Sequence, residues 1–514
     1  MRSPRQIPWL LLVGAWPLLL DCSSSGGEDA DPVSNAGTGG TGSGSGGRSA
    51  SGATAGQAPA SGGVTPTGGR VEVGGQTETG GTKAPGGGAG GAASGGASTG
   101  GQGAKGDGGS PGKGGGGSGG RGGGVGGGGV ASTGGTSSGG TGGGSSDLSK
   151  QYPCDGPDDD YDVVVSSSGN TWSAARGSKS LYSGNQLAAA LQAGLDGLTA
   201  NRTVKESVIV RGTGDIAAST RVSVGSYTVL NVCGTLNVTG SGSGDMAPIY
   251  ARGRTDIDIP NAAITGSPVY GMFFRDVDNL RLGRVELRMS AGLGIRIDNN
   301  AGAVRRKNVS IDYVYGEGMS SHAVETYGID QIRIGTVEAK DTGECGLLLN
   351  NTSNAEVGLV SCDNCGAGTG YAAFRIANDA GKIGDDWPAG NIHVGKVVAR
   401  RGGRGIFSVS GSGGLTIDEI DLADTGNNAI LLQNCYNTTI AAKSGTVAGG
   451  TVLLSNDTDN TNSGRYEPSR DVTLQNLTLS EGASVTEAWC DLGDRGNRAR
   501  NITGGTVDPC FESP

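Results

Sequence analysis

The chain has 514 residues and a formal net charge of −10, and 104 of its residues are glycine. Residues 1–150 hold nine Lys/Arg and eight Asp/Glu, so residues 151–514 hold the other 30 and 41 and carry a net charge of −11. An acidic domain argues against a nucleic-acid partner and against electrostatic binding to an anionic membrane surface.

The N-terminus has the pattern of an export signal. Arg2 and Arg5 precede an apolar run, residues 9–20, that is too short for a membrane span. Cys22 and three serines follow at once, which resembles a bacterial lipoprotein signal, although Asp21 stands where such signals carry a small residue. The resemblance implies a lipid on Cys22 as the only membrane contact, at the cell surface or outer membrane. A plain secretory signal is the alternative, and in either case the signal peptide covers residues 1–21.

Residues 22–150 consist mainly of Gly, Ser, Thr and Ala. Such a segment buries too little apolar surface to offset its chain entropy, so we predict a disordered linker. Glycine keeps no strict third-residue period, which excludes collagen. The linker would tether a folded domain, residues 151–514, to its anchor.

Cysteines and aspartates of the domain leave its metal content open. Eight cysteines follow Cys22, and an even number in an exported protein favours disulfides whose pairing the sequence does not give. Cys362 and Cys365 form a CxxC without a second pair at zinc spacing. Five aspartates within residues 155–162 could bind Ca²⁺, but they fit no EF-hand loop and are typical of a solvated segment. No cofactor is therefore predicted.

The first convincing element of the domain is an amphipathic helix at residues 183–200. Leucines at positions 187, 191, 195 and 198 form one apolar stripe, and Ser183 or Asn185 could cap the start. Apolar strands at residues 207–210 and 227–232 follow. A helix in this place would close the open hydrophobic end of a stack of coils.

A block of about 23 residues repeats through the second half of the chain. Short segments with alternating apolar residues begin at intervals of 23, 29, 23, 23, 37, 23 and 23 positions. Five intervals are equal, and the other two contain insertions of 6 and 14 residues. A fixed period of short strands predicts stacked parallel coils. The segments begin at Asp256, Asn279, Asn308, Gln331, Asn354, Asn391, Gly414 and Asn437.

A cap helix, a strand and then repeated coils resemble the right-handed parallel β-helix proteins of the pectin-lyase-like superfamily. The resemblance covers residues 151–514 and rests on the repeat and the cap, so it implies a fold, an all-β solenoid, but no particular reaction. Stretches such as residues 322–328 and 346–350 are similar to those of secreted bacterial and fungal β-helix proteins without a firm activity. The motifs of the classical pectate lyases and polygalacturonases are missing.

Alignment of the coils predicts which side chains face solvent. Residues 16 and 18 positions after each repeat start are mostly apolar, and we assign these rows, with Phe407 and Val409, to the core. The residues beside them should face outward. The first outward row is Phe273, Arg296, Glu325, Leu348, Arg375, Ser408 and Leu431, and the second is Arg275, Asp298, Tyr327, Asn350, Ala377, Ser410 and Gln433.

Both insertions lengthen the turn after the same strand, within residues 300–307 and 379–390. Two shorter coils lie between them, so we predict a walled groove on the outward rows. Trp387, in the larger insertion, is predicted either to stack on a sugar ring or to cover a coil edge. The floor comprises Glu325, Tyr327, Leu348 and Asn350, the edges are Arg296, Asp298 and Arg375, and the candidate substrate-binding residues are Arg275, Asn350 and Trp387.

A groove across stacked strands suits a linear polymer, and this fold class mostly handles polysaccharides. In β-elimination from a uronic acid, a cation stabilises the carboxylate while a base removes the α-proton. Arg296 and Arg375 would supply the charge, and Tyr327 or His322 would serve as base or acid. We expect His322 at the lip of the groove, where a turn role is the alternative. A polysaccharide lyase that acts on a uronate polymer as a monomer is the leading hypothesis.

Two other functions stay open. Asp298 and Glu325 should lie roughly 8 Å apart, which suits an inverting glycoside hydrolase. Arg296 should lie about 4.8 Å from Glu325. This pairing would lower the pKa of the Glu325 carboxyl and make it unsuitable as a general acid. Alternatively, the two residues form a surface ion pair that contributes little. A non-catalytic adhesin or polysaccharide-binding solenoid explains the tether and fold without chemistry. Against it, mixed Arg, Glu, Tyr and Asn side chains concentrate in one groove.

Overall fold

Stacked parallel strands form the fold. The computed structural model describes residues 147–299, 305–377, 379–426, 428–457, 461, 464–488 and 495–511. The predictions for the export signal, for Cys22 and for nearly all of the linker fall outside these residues. The described residues contain 30 strands in two sheets, two α-helices and one 3₁₀ turn, Asp158–Asp160.

Nineteen strands form the first sheet, here called the long-strand sheet. They are β1 (Val163–Ser168), β2 (Thr171–Arg176), β3 (Lys179–Gly184), β4 (Glu206–Arg211), β5 (Gly214–Ala217), β6 (Thr228–Val232), β7 (Thr235–Thr239), β9 (Thr255–Gly266), β11 (Asp278–Met289), β13 (Arg306–Glu317), β15 (Ile329–Lys340), β17 (Ser353–Asp363), β19 (Ile392–Arg400), β21 (Ser412–Gly413), β22 (Leu415–Ala423), β24 (Cys435–Ala448), β26 (Arg470–Gln475), β27 (Leu477–Ser480) and β29 (Arg498–Arg500).

Eleven strands form the second sheet, here called the short-strand sheet. They are β8 (Ile249–Arg252), β10 (Tyr270–Arg275), β12 (Leu293–Asp298), β14 (Val324–Tyr327), β16 (Leu347–Asn350), β18 (Ala372–Ala377), β20 (Arg404–Ser408), β23 (Ile430–Gln433), β25 (Thr451–Ser455), β28 (Ser484–Glu487) and β30 (Thr506–Val507). From β8 onward, all the pairings between the described strands are parallel, so the predicted parallel β-helix is confirmed.

The strand registers reproduce the sequence period. Ile332 pairs with Val309 and with Ala355, each 23 residues away. Ala355 pairs with Ile392, which is 37 residues away because the larger insertion lies between them. Repeat starts from Asp256 to Asn354 adopt left-handed backbone conformations, with φ between 49° and 61°. Among residues other than glycine, Asn and Asp tolerate this region best, which explains their recurrence at this position.

The predicted cap helix is present but shorter than expected. Helix α1 spans Leu148–Gln151, and α2 spans Leu187–Asp196. The predicted caps were wrong, because Ser183 lies in β3 and the N-cap is Gln186, whose side chain makes no capping hydrogen bond. The leucine stripe is buried and packs in the same core as strands β1 to β5.

The predicted core rows are buried, with one register error. Phe374 and Ile376 are fully buried, as expected from splitting the larger insertion around their strand. In the next coil, however, Ile406 and Ser408 occupy the core rows, and Phe407 pairs with Arg375 in the outward row. The turn before this strand is one residue shorter: Arg400 precedes Ile406 by six residues, whereas Glu317 precedes Val324 by seven.

Two disulfides join described cysteines: Cys154 to Cys233, and Cys362 to Cys365. The second explains the CxxC without a metal. Within the described ranges no group of three or more His, Cys, Asp or Glu side chains is arranged to hold a metal ion. None of the helices in the described part is long and apolar enough to cross a membrane.

Candidate functional site

A bend in the short-strand sheet brings two rows of side chains onto its outer surface. The β10–β12 ladder pairs Tyr270 with Leu293 and Met272 with Ile295, and skips Gly271 and Gly294. A Cβ on Gly294 would lie 2.3 Å from the carbonyl oxygen of the next coil, so only glycine permits this close approach.

Side chains on either side of this bend therefore meet outside the core. The rings of Tyr270 and Phe273 stack with centroids 4.7 Å apart, in a cluster separate from the main core. Cys345 and Leu348 share a second such cluster farther along the stack. We call this surface, from β8 to β20, the outer face.

A chain of ion pairs runs across the outer face between the two apolar clusters. Both Asp298 oxygens accept 2.9 Å hydrogen bonds from Arg275, and one also accepts a 2.9 Å bond from Arg296. Arg275 also pairs with Asp245 at 3.2 Å, and Arg296 donates to Glu325 at 2.9 Å. The Asp298 side chain is only 4 % exposed. Its two oxygens are thus committed to arginines, which opposes the predicted role in an inverting hydrolase.

Glu325 differs from Asp298 in having a free oxygen. Its Oε2 accepts from Arg296, whereas Oε1 accepts no hydrogen bond from any described residue. Burial raises the pKa of the Glu325 carboxyl, and the charge of Arg296 only partly offsets this effect. The prediction of a net lowered pKa was wrong: Arg296 does lower it, but Glu325 is only 7 % exposed instead of lying on an open groove floor, and burial has the larger effect. A carboxyl with a raised pKa suits proton transfer near neutrality.

His322 is buried beneath the outer face and not at its lip. Its Nδ1 accepts a 3.0 Å hydrogen bond from the backbone N–H of Cys345, and its Nε2 lies 3.1 Å from Glu344 Oε2. Burial lowers the pKa of His322 to about 3, so the ring is neutral and carries its proton on Nε2. Both nitrogens are occupied. His322 therefore positions Glu344 and is not an available base.

Aromatic rings flank the charged groups on both sides. Burial raises the pKa of Tyr270 and of Tyr371, and nearby Arg296 and Arg375 respectively oppose the rise. The Arg375 guanidinium lies 4.8 Å from the centroid of the Tyr371 ring. Within the described residues Arg375 makes no ion pair, and its Nε is buried without a hydrogen-bond partner. Among the described residues, Arg375 is thus a cation without a counter-ion beside the neutral phenol of Tyr371.

The remaining predicted residues lie toward the C-terminal ends of their strands. Tyr327 is 36 % exposed. The Oδ1 of Asn350 is buried and finds no partner among the described residues. Leu348, predicted on the open floor, is only 3 % exposed and packs in the outer apolar cluster.

The described parts of the two insertions contact each other and do not stand apart as groove walls. Arg305, in the first insertion, donates hydrogen bonds to the carbonyl of Lys382 in the second, at 3.3 Å, and to Asn351, at 2.9 Å. They therefore meet at the turn after the strands, beside a cavity of about 510 Å³. Trp387 donates to the Gly411 carbonyl at 2.9 Å and packs on a tyrosine, so it covers a coil edge.

Sequence reasoning missed four outer-face residues: Tyr270, Glu344, Tyr371 and Arg404. Strict alternation would turn Tyr270 inward, but the direction of the side chains changes at the neighbouring glycine. The available signal was the small residue that recurs at this position in each coil, as at Gly271, Gly294 and Gly346. Such a row marks close backbone contact and a change of side-chain direction.

Comparisons with known proteins identify no family for this chain. No protein-family model matches the chain, and no curated protein matches it. Among solved structures, the A-module of mannuronan C-5 epimerase AlgE4 from Azotobacter vinelandii is 12 % identical with a TM-score of 0.41, covering 63 % of this chain and 93 % of that one. The AlgE6 A-module from the same organism is 12 % identical with a TM-score of 0.37, covering 64 % and 96 %. Both are, like this chain, parallel β-helices.

Proposed function

We propose that this protein acts on a uronate-containing polysaccharide by removing the proton α to a sugar carboxylate, and that β-elimination follows. The observation that carries the proposal is a buried carboxyl, Glu325, with a raised pKa and an Oε1 that accepts no hydrogen bond from a described residue. The charge of Arg375, which has no ion-pair partner among the described residues, acts to lower this pKa in part. General bases work best when their pKa approaches the operating pH.

Each group has a distinct role in the proposed reaction. Arg375 neutralises the sugar carboxylate, which makes the neighbouring C–H bond more acidic. Glu325 Oε1 takes that proton, and the electron pair left on carbon expels the glycosidic oxygen at the adjacent position. Tyr371, kept neutral by its raised pKa, donates a proton to the departing oxygen. Tyr327 is the alternative donor, because it is exposed on the same strand as Glu325.

The same first step has a second outcome. If the carbanion regains a proton from the opposite face before the glycosidic bond breaks, the sugar is epimerised and the polymer stays intact. Elimination is the leading outcome here, since a neutral phenol beside the site can assist departure of the oxygen. The geometry does not favour hydrolysis through Asp298, because both of its oxygens accept hydrogen bonds from arginines.

One assay separates the possible functions. The full mature chain is incubated with polymers of galacturonate, glucuronate, mannuronate and guluronate, and with their carboxyl-reduced, neutral counterparts. The proposal predicts ultraviolet absorbance from unsaturated ends with at least one uronate polymer and with none of the neutral ones. New reducing ends without this absorbance would instead indicate a hydrolase. Binding without any chemical change would indicate an adhesin.

A further inference from the structure

A second arginine lies beside Arg375 on the outer face. The register pairs Ala372 with Arg404 and Arg375 with Phe407, so the two arginines lie on adjacent coils. The guanidinium carbons of Arg375 and Arg404 are 5.0 Å and 4.7 Å from the centroid of the Phe407 ring. One aromatic ring thus contacts two cations.

These two arginines differ from the others of the outer face in their partners. Arg275 and Arg296 each pair with two carboxylates. Among the described residues, neither Arg375 nor Arg404 has a carboxylate within 4.0 Å, and the Nε of each is buried without a hydrogen-bond partner. Within the described part of the chain, Arg404 donates only to the carbonyl oxygen of Gly370.

The pair is electrostatically unfavourable without a ligand. Burial lowers the pKa of Arg404, and the charge of Arg375 lowers it further. Two neighbouring cations in a partly desolvated place repel each other, and buried donors without acceptors cost free energy. A bound anion would relieve the repulsion between the two cations, whereas a neutral sugar would not.

We infer that Arg375 and Arg404 form an anion subsite for the carboxylate of a uronate residue, with Phe407 and Tyr371 providing apolar contacts for the sugar ring. Guanidinium groups bind planar carboxylates through paired N–H donors, which favours a carboxylate as the ligand. Arg404 is thereby assigned as a specificity-determining residue. The inference rests on the proposed function for the identity of the ligand, but it concerns binding and not proton transfer.

The test is binding of oligosaccharides to the full mature chain, measured by isothermal titration calorimetry. The probes are galacturonate, glucuronate, mannuronate and guluronate oligosaccharides, their carboxyl-reduced counterparts, and a sulfated neutral oligosaccharide. At least one uronate oligosaccharide should bind, and its reduced counterpart should bind at least ~tenfold more weakly.

The Arg404→Gln variant should weaken uronate binding by at least ~tenfold and leave binding of the reduced oligosaccharide unchanged, since one charge-assisted contact is lost. Arg404→Lys should recover part of the affinity, because lysine retains the positive charge but lacks the paired N–H donors of a guanidinium group. Arg401→Gln is the matched control, since Arg401 is 56 % exposed and pairs with Asp363. Circular dichroism melts would show whether each variant is folded.

Three results would overturn the subsite: no uronate oligosaccharide binds, Arg404→Gln and Arg404→Lys both bind as the wild type does, or the sulfated oligosaccharide binds more tightly than every uronate. Failure of the proposed function is distinguishable from these. Carboxyl-dependent binding that requires Arg404, without chemical turnover, would remove the reaction and leave the subsite standing. Turnover that does not depend on Arg404 would support the reaction and refute the subsite.

Discussion

Replacement of Asp298 by asparagine should destabilise the fold strongly. Asp298 accepts three hydrogen bonds at 2.9 Å from Arg275 and Arg296, and its side chain is 4 % exposed. An asparagine offers one oxygen and turns an N–H₂ donor toward an arginine. Removal of one partner from a buried pair costs about 3–5 kcal/mol. Because Asp245 and Glu325 continue to pair with the two arginines, we expect a loss near the lower end, about 3 kcal/mol.

The assay is urea unfolding followed by circular dichroism, with the free energy of unfolding compared between variants at neutral pH. Asp421→Asn is the matched control, because Asp421 pairs with Arg400 where both side chains are 39 % exposed. Exposed pairs contribute about 0–1 kcal/mol. If Asp298→Asn lost no more stability than this control, the buried-pair reasoning would be refuted. A stable but inactive Asp298→Asn variant would restore this carboxylate as a catalytic candidate.

Three further outcomes are expected. Burial raises the pKa of Glu325, so the proton-accepting carboxylate is lost as the pH falls through a value above the ordinary glutamate range. We therefore expect kcat/KM to decline on the acid side. A kcat/KM that stays constant there would contradict the assignment of Glu325 as the base. Substitution of His322 by phenylalanine should cost about 1–3 kcal/mol in thermal unfolding, because the Cys345 N–H loses its acceptor, whereas Glu344→Gln should cost less. Serine at Cys154 should lower stability by about 4 kcal/mol, since that disulfide closes a loop between residues 79 positions apart, and an unchanged unfolding midpoint would contradict this.

The architecture was predictable because it depends on a repeated pattern. Each coil must place apolar side chains at the same offset, so intervals of 23, 29 and 37 residues in the sequence reappear as strand registers. The error at Phe407 arose where one turn lost a residue, which reverses the orientation of every side chain in the following strand.

The chemistry of the outer face was less predictable because it depends on burial and on the bend. Alternation correctly aligned Arg296 with Glu325, but it gave no sign that Glu325 would be buried and its pKa raised. It placed His322 at an open lip, whereas rings and strands of neighbouring coils enclose it. Tyr371 was missed because its position follows from the longer turn before β18 and not from the period.

The central claim is that Glu325 removes a proton α to a sugar carboxylate. Its most direct measurement follows deuterium incorporation and unsaturated products by NMR, with the four uronate polymers in D₂O. The wild type should produce at least one of these signals. Glu325→Gln, which retains an oxygen for Arg296, should reduce it about 10²–10⁴-fold while staying folded. Glu356→Gln, at a side chain 60 % exposed on the long-strand sheet, should be unaffected. Equal signals from wild type and Glu325→Gln, or no signal from the wild type, would contradict the account.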